Sequence, residues 1–257
     1  MGTLIKLEMK KIFFKKSIFI VWLGILFISY ITIREFAIRE TYADIFNKGY
    51  GLVPLMGVIM FMVFSGAYTM EYSSNMAGFI KTTINGKRKI ILAKSIAAGI
   101  SASIINVSVF LTVCISALTK FQFEELDLPL KELWYFGKSG SELTVLQMIL
   151  IMIVTIIISS FFFAQIGLFL SSVSKSAAIP FIFGGVIMGI PYLFEGLIRK
   201  NGLVDYLGLT PLWGMMSCQL VRFKVPLEII IILIVIYIVG FIALPVLTYK
   251  VFIKENN

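Results

Sequence analysis

Apolar and polar positions in this chain do not alternate over short periods. Apolar residues gather instead into six long runs, Ser17–Ile33, Leu52–Met70, Ser95–Thr119, Val145–Leu170, Ser176–Ile198 and Leu227–Leu247, with short polar stretches between them. A hydrocarbon layer about 30 Å thick is crossed by ~20 apolar residues in a helix, because each backbone N–H and C=O must find its partner within the segment. Every run meets that length, so the expected fold is an all-α membrane protein with six transmembrane helices. Little is left for a soluble unit, and residues 1–257 read as a single transmembrane domain. Composition agrees: 59% of the 257 residues are hydrophobic and 14% charged, at a mean hydropathy of +0.96. A soluble domain of this size needs much more polar surface.

The charges set an orientation. The N-terminal stretch, the second and fourth connectors and the C-terminus carry 13 of the 23 Lys and Arg against Glu8, Glu71 and Glu255, a net of +10; the other connectors carry 10 basic and 11 acidic residues. Basic residues flanking short loops stay in the cytoplasm, and the first cluster dominates. Both termini are therefore expected there, in a multi-pass protein of a bacterial cell membrane. The overall charge of +9 is a topology signal, since nucleic-acid binding needs a basic face on a soluble domain. The first run is long and ends in Tyr30-Ile31-Thr32-Ile33-Arg34 without a small-x-small cleavage site, which reads as a retained anchor. Residues 1–16 interleave lysines with Leu4, Ile5, Leu7, Met9, Ile12, Phe13 and Phe14, a pattern that fits an interfacial helix with snorkelling lysines and also a frayed basic tail.

Catalytic chemistry is poorly served. There is no histidine, and Cys114 and Cys218 are the only cysteines, so neither a His-based triad nor a metal site nor a disulfide is expected. Gly137-Lys138-Ser139 resembles the end of a phosphate-binding loop, but Glu132 stands where the opening glycine belongs. Catalytic, cofactor and metal residues are thus expected to be none. The runs hold almost no charge, Glu71, Glu195 and Glu228 lying near run ends, which argues against a proton-coupled carrier. A secondary carrier or channel working without an ATPase stays the alternative, with sodium held by carbonyls at broken helices.

The second connector, 71–94, is the most informative polar stretch. Ser73-Ser74-Asn75 suit a helix N-cap, Met76, Phe79, Ile80, Thr83 and Ile84 follow at helical spacing, and Asn85-Gly86 is a stop. Such a short one-sided helix fits a groove in another protein, and equally a plain helix on anionic headgroups. Glu71-Tyr72, Gly78, Asn85-Gly86, Arg88, Ile91 and Lys94 resemble the cytoplasmic loop of the ABC-2 type permeases, the membrane subunits of ABC exporters, although many relatives have proline where this chain has Asn85-Gly86. Leu168 to Ala178 resembles that family's loop between the fourth and fifth helices, and Leu209-Thr210-Pro211-Leu212 its outer segment before the last helix.

The resemblance implies a division of labour. Two cytosolic ABC ATPase subunits, holding ATP and Mg, would push on a coupling helix at 76–84, with Glu71, Tyr72, Met76, Gly78, Phe79, Ile80, Ile84, Arg88 and Lys94 as the coupling residues. A second permease copy or a sister permease would complete the pathway, and the cargo would be an antimicrobial or toxin-like peptide, a lipid or a hydrophobic drug. In the fifth run Gly185 and Gly189 have small-xxx-small spacing, with Pro191 and Glu195 beyond; ordinary helix packing and a pathway both fit. Glu195 and Arg199 are one helical turn apart and suited to pair. Residues 199–226 are too apolar for a free loop and resemble the family's outer re-entrant helices. The third connector, 120–144, mixes five acids with aromatic residues, which suits an interfacial anchor and also an acidic surface for cationic peptides.

Overall fold

In the computed structural model, described over residues 1–36, 41–74, 86–174, 176–200 and 203–254, the chain is all-helical. The elements are α1 (Gly2–Phe13), α2 (Lys16–Glu35), α3 (Ala43–Gly51), α4 (Val53–Ser65), α5 (Thr69–Ser73), α6 (Gly86–Lys120), α7 (Val145–Val173), α8 (Ala178–Lys200), α9 (Pro211–Met215), α10 (Cys218–Arg222) and α11 (Leu227–Lys254), with 3-10 turns at Leu130–Glu132 and Val204–Leu209. Six stretches are long and apolar enough to cross a membrane: Lys16–Glu35, Val53–Tyr72, Arg88–Lys120, Val145–Val173, Ala178–Ile198 and Leu227–Phe252. They coincide with the six apolar runs to within a few residues, except that the third helix starts well before Ser95. Its first turns carry Lys87, Arg88 and Lys89, good helix formers that extend the helix past the hydrocarbon layer.

Packing centres on α6 against α7, with α2 on the outer side of α6, α8 on α4, and α11 on α7. Several glycine contacts set the spacing, two of them against α4. A Cβ at Gly167 would come within 2.5 Å of the Phe64 ring, and one at Gly184 within 2.0 Å of Phe61, so these glycines admit the rings of α4 to α7 and α8. Polar side chains bridge α6 and α7 inside the bundle: Ser95 Oγ donates to Gln165 Oε1 at 2.8 Å and Asn106 Nδ2 to Ser160 Oγ at 2.9 Å. Such bonds hold helices together where lipid gives no hydrophobic drive for association. Spans two and three are 61% buried and span six only 11%. The outer helices therefore present Ile20, Phe27, Leu193 and Ile242 to whatever apolar medium surrounds them.

The two ends of the bundle are built from different elements. One end gathers α1, the close of α5, the start of α6 and the close of α11, where Phe252 packs on Tyr68 and Tyr72 at 5.1 and 6.0 Å between ring centroids. Both ends of the described chain thus lie together. The other end gathers α3, the 120–144 connector and the segment from Val204 to Arg222. α6 stops as Phe123 N–H reaches back to Leu118 O, with Gln122 and Phe123 at φ 54° and 61°, the left-handed closure common at helix C-termini. The connector then folds onto the bundle: Leu130, Leu133, Tyr135 and Phe136 are buried, while Glu124, Glu125, Asp127, Glu132 and Glu142 stay exposed. Tyr135 and Leu133 are therefore anchored in protein. Thr144 and Gln147 cap α7 reciprocally, a capping box that fixes where the fourth span begins.

Of the expected outer segment 199–226, residues 199 and 200 still belong to α8, and residues 203–226 form a compact series of short helices. α9 starts at Pro211 behind the Thr210 cap, and Leu212, Trp213, Met215, Met216 and Cys218 are completely buried. Their apolar character is explained by contact with α7, α8 and α11.

Candidate functional site: an ionic knot at the base of the 71–94 connector

The second span is not one continuous helix. α4 ends at Ser65 and α5 starts at Thr69. Across the gap Glu71 N–H bonds to Tyr68 O rather than to Ala67 O, which leaves the Ala67 carbonyl available. Ser171 of α7 fills the break, donating from Oγ to Ser65 O at 3.0 Å and accepting from Tyr68 N–H at 3.1 Å. Helix interruptions of this kind persist where neighbouring side chains satisfy the freed backbone groups.

Lys94, near the start of the third span, is 5% exposed and answers that free carbonyl. Its Nζ donates to Ala67 O at 2.8 Å, lies 2.8 Å from Glu71 Oε1 and donates to Glu8 Oε2 at 3.1 Å. An ammonium has three protons, and here each has an acceptor. Glu8 in turn accepts from Lys11 through Oε1 at 2.6 Å. The Tyr68 ring lies 5.5 Å from the Lys94 nitrogen, within cation–π range. Burying a charge is tolerable only with this degree of pairing.

The pairing is written in helix periodicity. In α1, Leu4, Ile5, Met9, Ile12 and Phe13 form the half-buried stripe, and Glu8 stands in the same stripe while Lys6, Lys10, Lys11 and Lys15 are exposed. In α6, Lys94 shares the buried face with Ile91 and Ala98. An acid on one apolar face and a base on another are a signal the sequence carried. The expectation for α1 is thus settled on one point: it is a helix with a bundle-facing stripe. Burial raises the Glu8 carboxyl, but the Coulombic pull of Lys94 and the hydrogen bonds from Lys11 and Lys94 outweigh it, and the group sits below its ordinary 4.5.

Of the predicted coupling residues, Glu71 and Lys94 are brought into direct contact. Tyr72 donates from its hydroxyl to Ser172 O at 3.1 Å, joining the second span to the fourth. Arg88 is exposed and lies 5.8 Å over the Tyr249 ring of α11. Met76, Gly78, Phe79, Ile80 and Ile84, with the predicted helix at 76–84, lie outside the described residues. Glu8, Tyr68, Ser171 and the Ala67 carbonyl were not among the predicted residues and complete the knot.

The residues predicted for packing or a pathway sit elsewhere. Gly185 and Gly189 line a cleft of about 230 Å³ between α4 and α8 with Val53, Pro54 and Met188. A Cβ at either glycine would meet nothing within 4 Å, so it is Gly184 that makes the close helix contact. Pro191 is buried within α8. Glu195 lies beside the Tyr50 hydroxyl of α3; the Arg199 side chain, its predicted partner, is outside the described residues. Around Tyr50 and Tyr135 a second, largely aromatic network forms at the far end. Trp213 Nε1 donates to Tyr50 Oη at 3.3 Å, Gln219 Nε2 donates to Tyr135 Oη at 2.9 Å, and the Arg222 guanidinium lies 3.9 Å over the Tyr135 ring. Tyr42, Ile45, Phe46 and Tyr50 recur at helical spacing, a signal that would have found α3.

No family model matches the chain, and no curated protein or solved structure matches it either. Function is therefore inferred from its own residues.

Proposed function

We propose that this chain is the membrane-spanning permease subunit of an ATP-driven exporter, working with separate cytosolic ATPase subunits and a second permease copy or a sister permease. The observation that carries this reading is the knot itself. Lys94 ties both ends of the 71–94 connector to each other, to the N-terminal helix and to the break in the second span. A force applied to the connector would enter the bundle at its one backbone discontinuity among the described parts of that span, and would tilt α5 against α4. A hinge with side-chain ties on both sides suits a two-position lever. The resemblance of the connector to the coupling loop of ABC-2 type permeases points the same way. In this reading the knot-bearing end faces the cytoplasm, as its lysines favour.

The cargo fits as an amphipathic or hydrophobic molecule, a peptide, lipid or drug, because the spans offer a pathway between copies few charges with which to bind an ion or a sugar. The test is reconstitution after isolation from native membranes. A nucleotide-hydrolysing protein co-purifies with the chain, and the double substitution Phe79→Asp with Ile80→Asp abolishes transport and cargo-stimulated hydrolysis while leaving the bundle folded. Isolation without such a companion, or transport undiminished by that substitution, overturns the proposal.

A further inference from the structure

Between α1 and the ends of the second and third spans lies an open cleft of about 910 Å³. It falls in the size range of small-molecule sites. Its walls are apolar, with Leu7, Phe14 and Met70 exposed at the rim and Met62 and Val63 further in. Its charged lining is unbalanced: Lys10, Lys11, Lys15 and Lys94 stand against Glu8 and Glu71. Two of those lysines are spoken for by the knot, Lys94 by both carboxylates and Lys11 by Glu8. Among the described residues no carboxylate is within ion-pair distance of Lys10 or Lys15. Lys10 lies 5.5 Å over the Phe14 ring. Lys15 reaches back to the helix break, its Nζ 4.0 Å from where a Cβ on Gly66 would be.

The cleft sits at the ends of the candidate spans that close at Tyr72 and open at Arg88; in a bilayer such ends lie where acyl chains give way to headgroups. An apolar trough whose lining carries two ammonium groups unpaired by any described carboxylate is complementary to an anion attached to a hydrocarbon tail. A cationic peptide would meet net positive charge there, and a free anion would leave the apolar walls uncovered. We propose that the cleft binds one anionic phospholipid per chain, its phosphate between Lys10 and Lys15 and an acyl chain against Leu7, Phe14 and Met70. The lipid thereby seals α1 onto the break in the second span. This inference rests on the cleft and its lysines, and holds or fails independently of any ATPase partner.

The full chain, purified in detergent, is titrated with phosphatidylglycerol, phosphatidylcholine and glycerol phosphate, and the bound species are counted by native mass spectrometry. The expected result is one phosphatidylglycerol retained per chain in preference to phosphatidylcholine, with no competition from glycerol phosphate. Lys10→Gln with Lys15→Gln should weaken phosphatidylglycerol binding about 30-fold, at roughly 1 kcal/mol per basic residue near a lipid headgroup, and leave phosphatidylcholine unchanged. Lys15→Arg, which keeps the charge, should retain the affinity. Equal retention of the two lipids overturns the proposal on the wild-type chain alone, whether or not the double variant folds. Full competition by glycerol phosphate identifies a simple anion site and overturns it. So does unchanged binding in the folded double variant, or a dimer that forms without lipid and is lost in that variant, which would make a second copy the occupant.

Discussion

At the end of the bundle that carries both chain ends, the buried polar contacts are ionic: one lysine holds two glutamates and a main-chain carbonyl. At the opposite end aromatic and neutral groups dominate and the charges are dispersed: Trp213 donates to Tyr50, Gln219 donates to Tyr135, and Trp213 stacks on Phe223 at 5.1 Å and 11°. There the buried Asp44 and the half-buried Glu195 and Arg222 are, among the described residues, not gathered on one shared cation. Ionic ties buried around a helix break are strong while intact, but they are pairwise and sensitive to protonation. Neutral contacts among large, fully buried rings resist distortion through shape. Under the proposed function the first end transmits displacement, while packing holds α9 and α10 on the bundle at the second.

Lys94→Met gives the largest effect predicted here. It leaves the Glu8 and Glu71 carboxylates facing each other without their shared cation, at a cost of about 3 kcal/mol, read as a lowered thermal unfolding midpoint in detergent. Adding Glu71→Gln restores part of that loss by removing one stranded charge. A midpoint unchanged by Lys94→Met would erase the contrast between the ends.

Gln219→Leu, at the aromatic end, strands the Tyr135 hydroxyl. Burial and the nearby Cys218 already hold that hydroxyl above its usual range, so it stays protonated. The substitution also removes the acceptor of Arg222 at 3.4 Å; the cost is about 1–2 kcal/mol and should vary much less with pH between 4 and 8 than that of Lys94→Met, an equal dependence erasing the contrast between the ends.

Glu8→Gln is milder at neutral pH, about 1 kcal/mol, since Glu8 is partly exposed and screened. Its signature is in acid. The Glu8 carboxyl sits below its ordinary 4.5 when folded, so its contribution is fully present above about pH 4.5 and is lost as pH falls through the lower folded value. The wild-type unfolding midpoint should therefore fall more steeply than that of Glu8→Gln below pH 4.5, while the two run parallel from pH 5 to 8. Parallel curves throughout would remove Glu8 from the knot.

The smallest effect concerns Cys218. Burial pushes its thiol up to about 12, so maleimide at pH 8 should label the folded chain there only at the rate of local opening. Rapid labelling would mean that the far end opens readily.

Much of the fold was legible. The six spans follow from run length alone, because a backbone in hydrocarbon has no partner but itself. The knot itself was not legible: Glu71 and Lys94 stood in the connector's pattern as separate coupling residues rather than as a pair, and Glu8 counted only as one acid among lysines. Its place on the apolar stripe of α1 was visible, but which lysine it would meet depends on how α1 lies across α6. Gly185 and Gly189 were read from spacing, whereas Gly184, one residue away, makes the close contact with Phe61. Spacing defines a helix face without telling which neighbour comes to it.

The sequence by itself determined the number, length and all-helical character of the crossings, since these depend on local hydropathy and backbone hydrogen bonding. Only the tertiary structure decided that Glu8, Glu71 and Lys94 share one buried contact at a break in the second span, and that α3 and the segment from Val204 to Arg222 close the other end. The physical reason is distance along the chain. Residues 8, 71 and 94 sit on three separate helices, and helix orientation is set by packing of ring against glycine and polar group against polar group, which no single stretch of sequence contains.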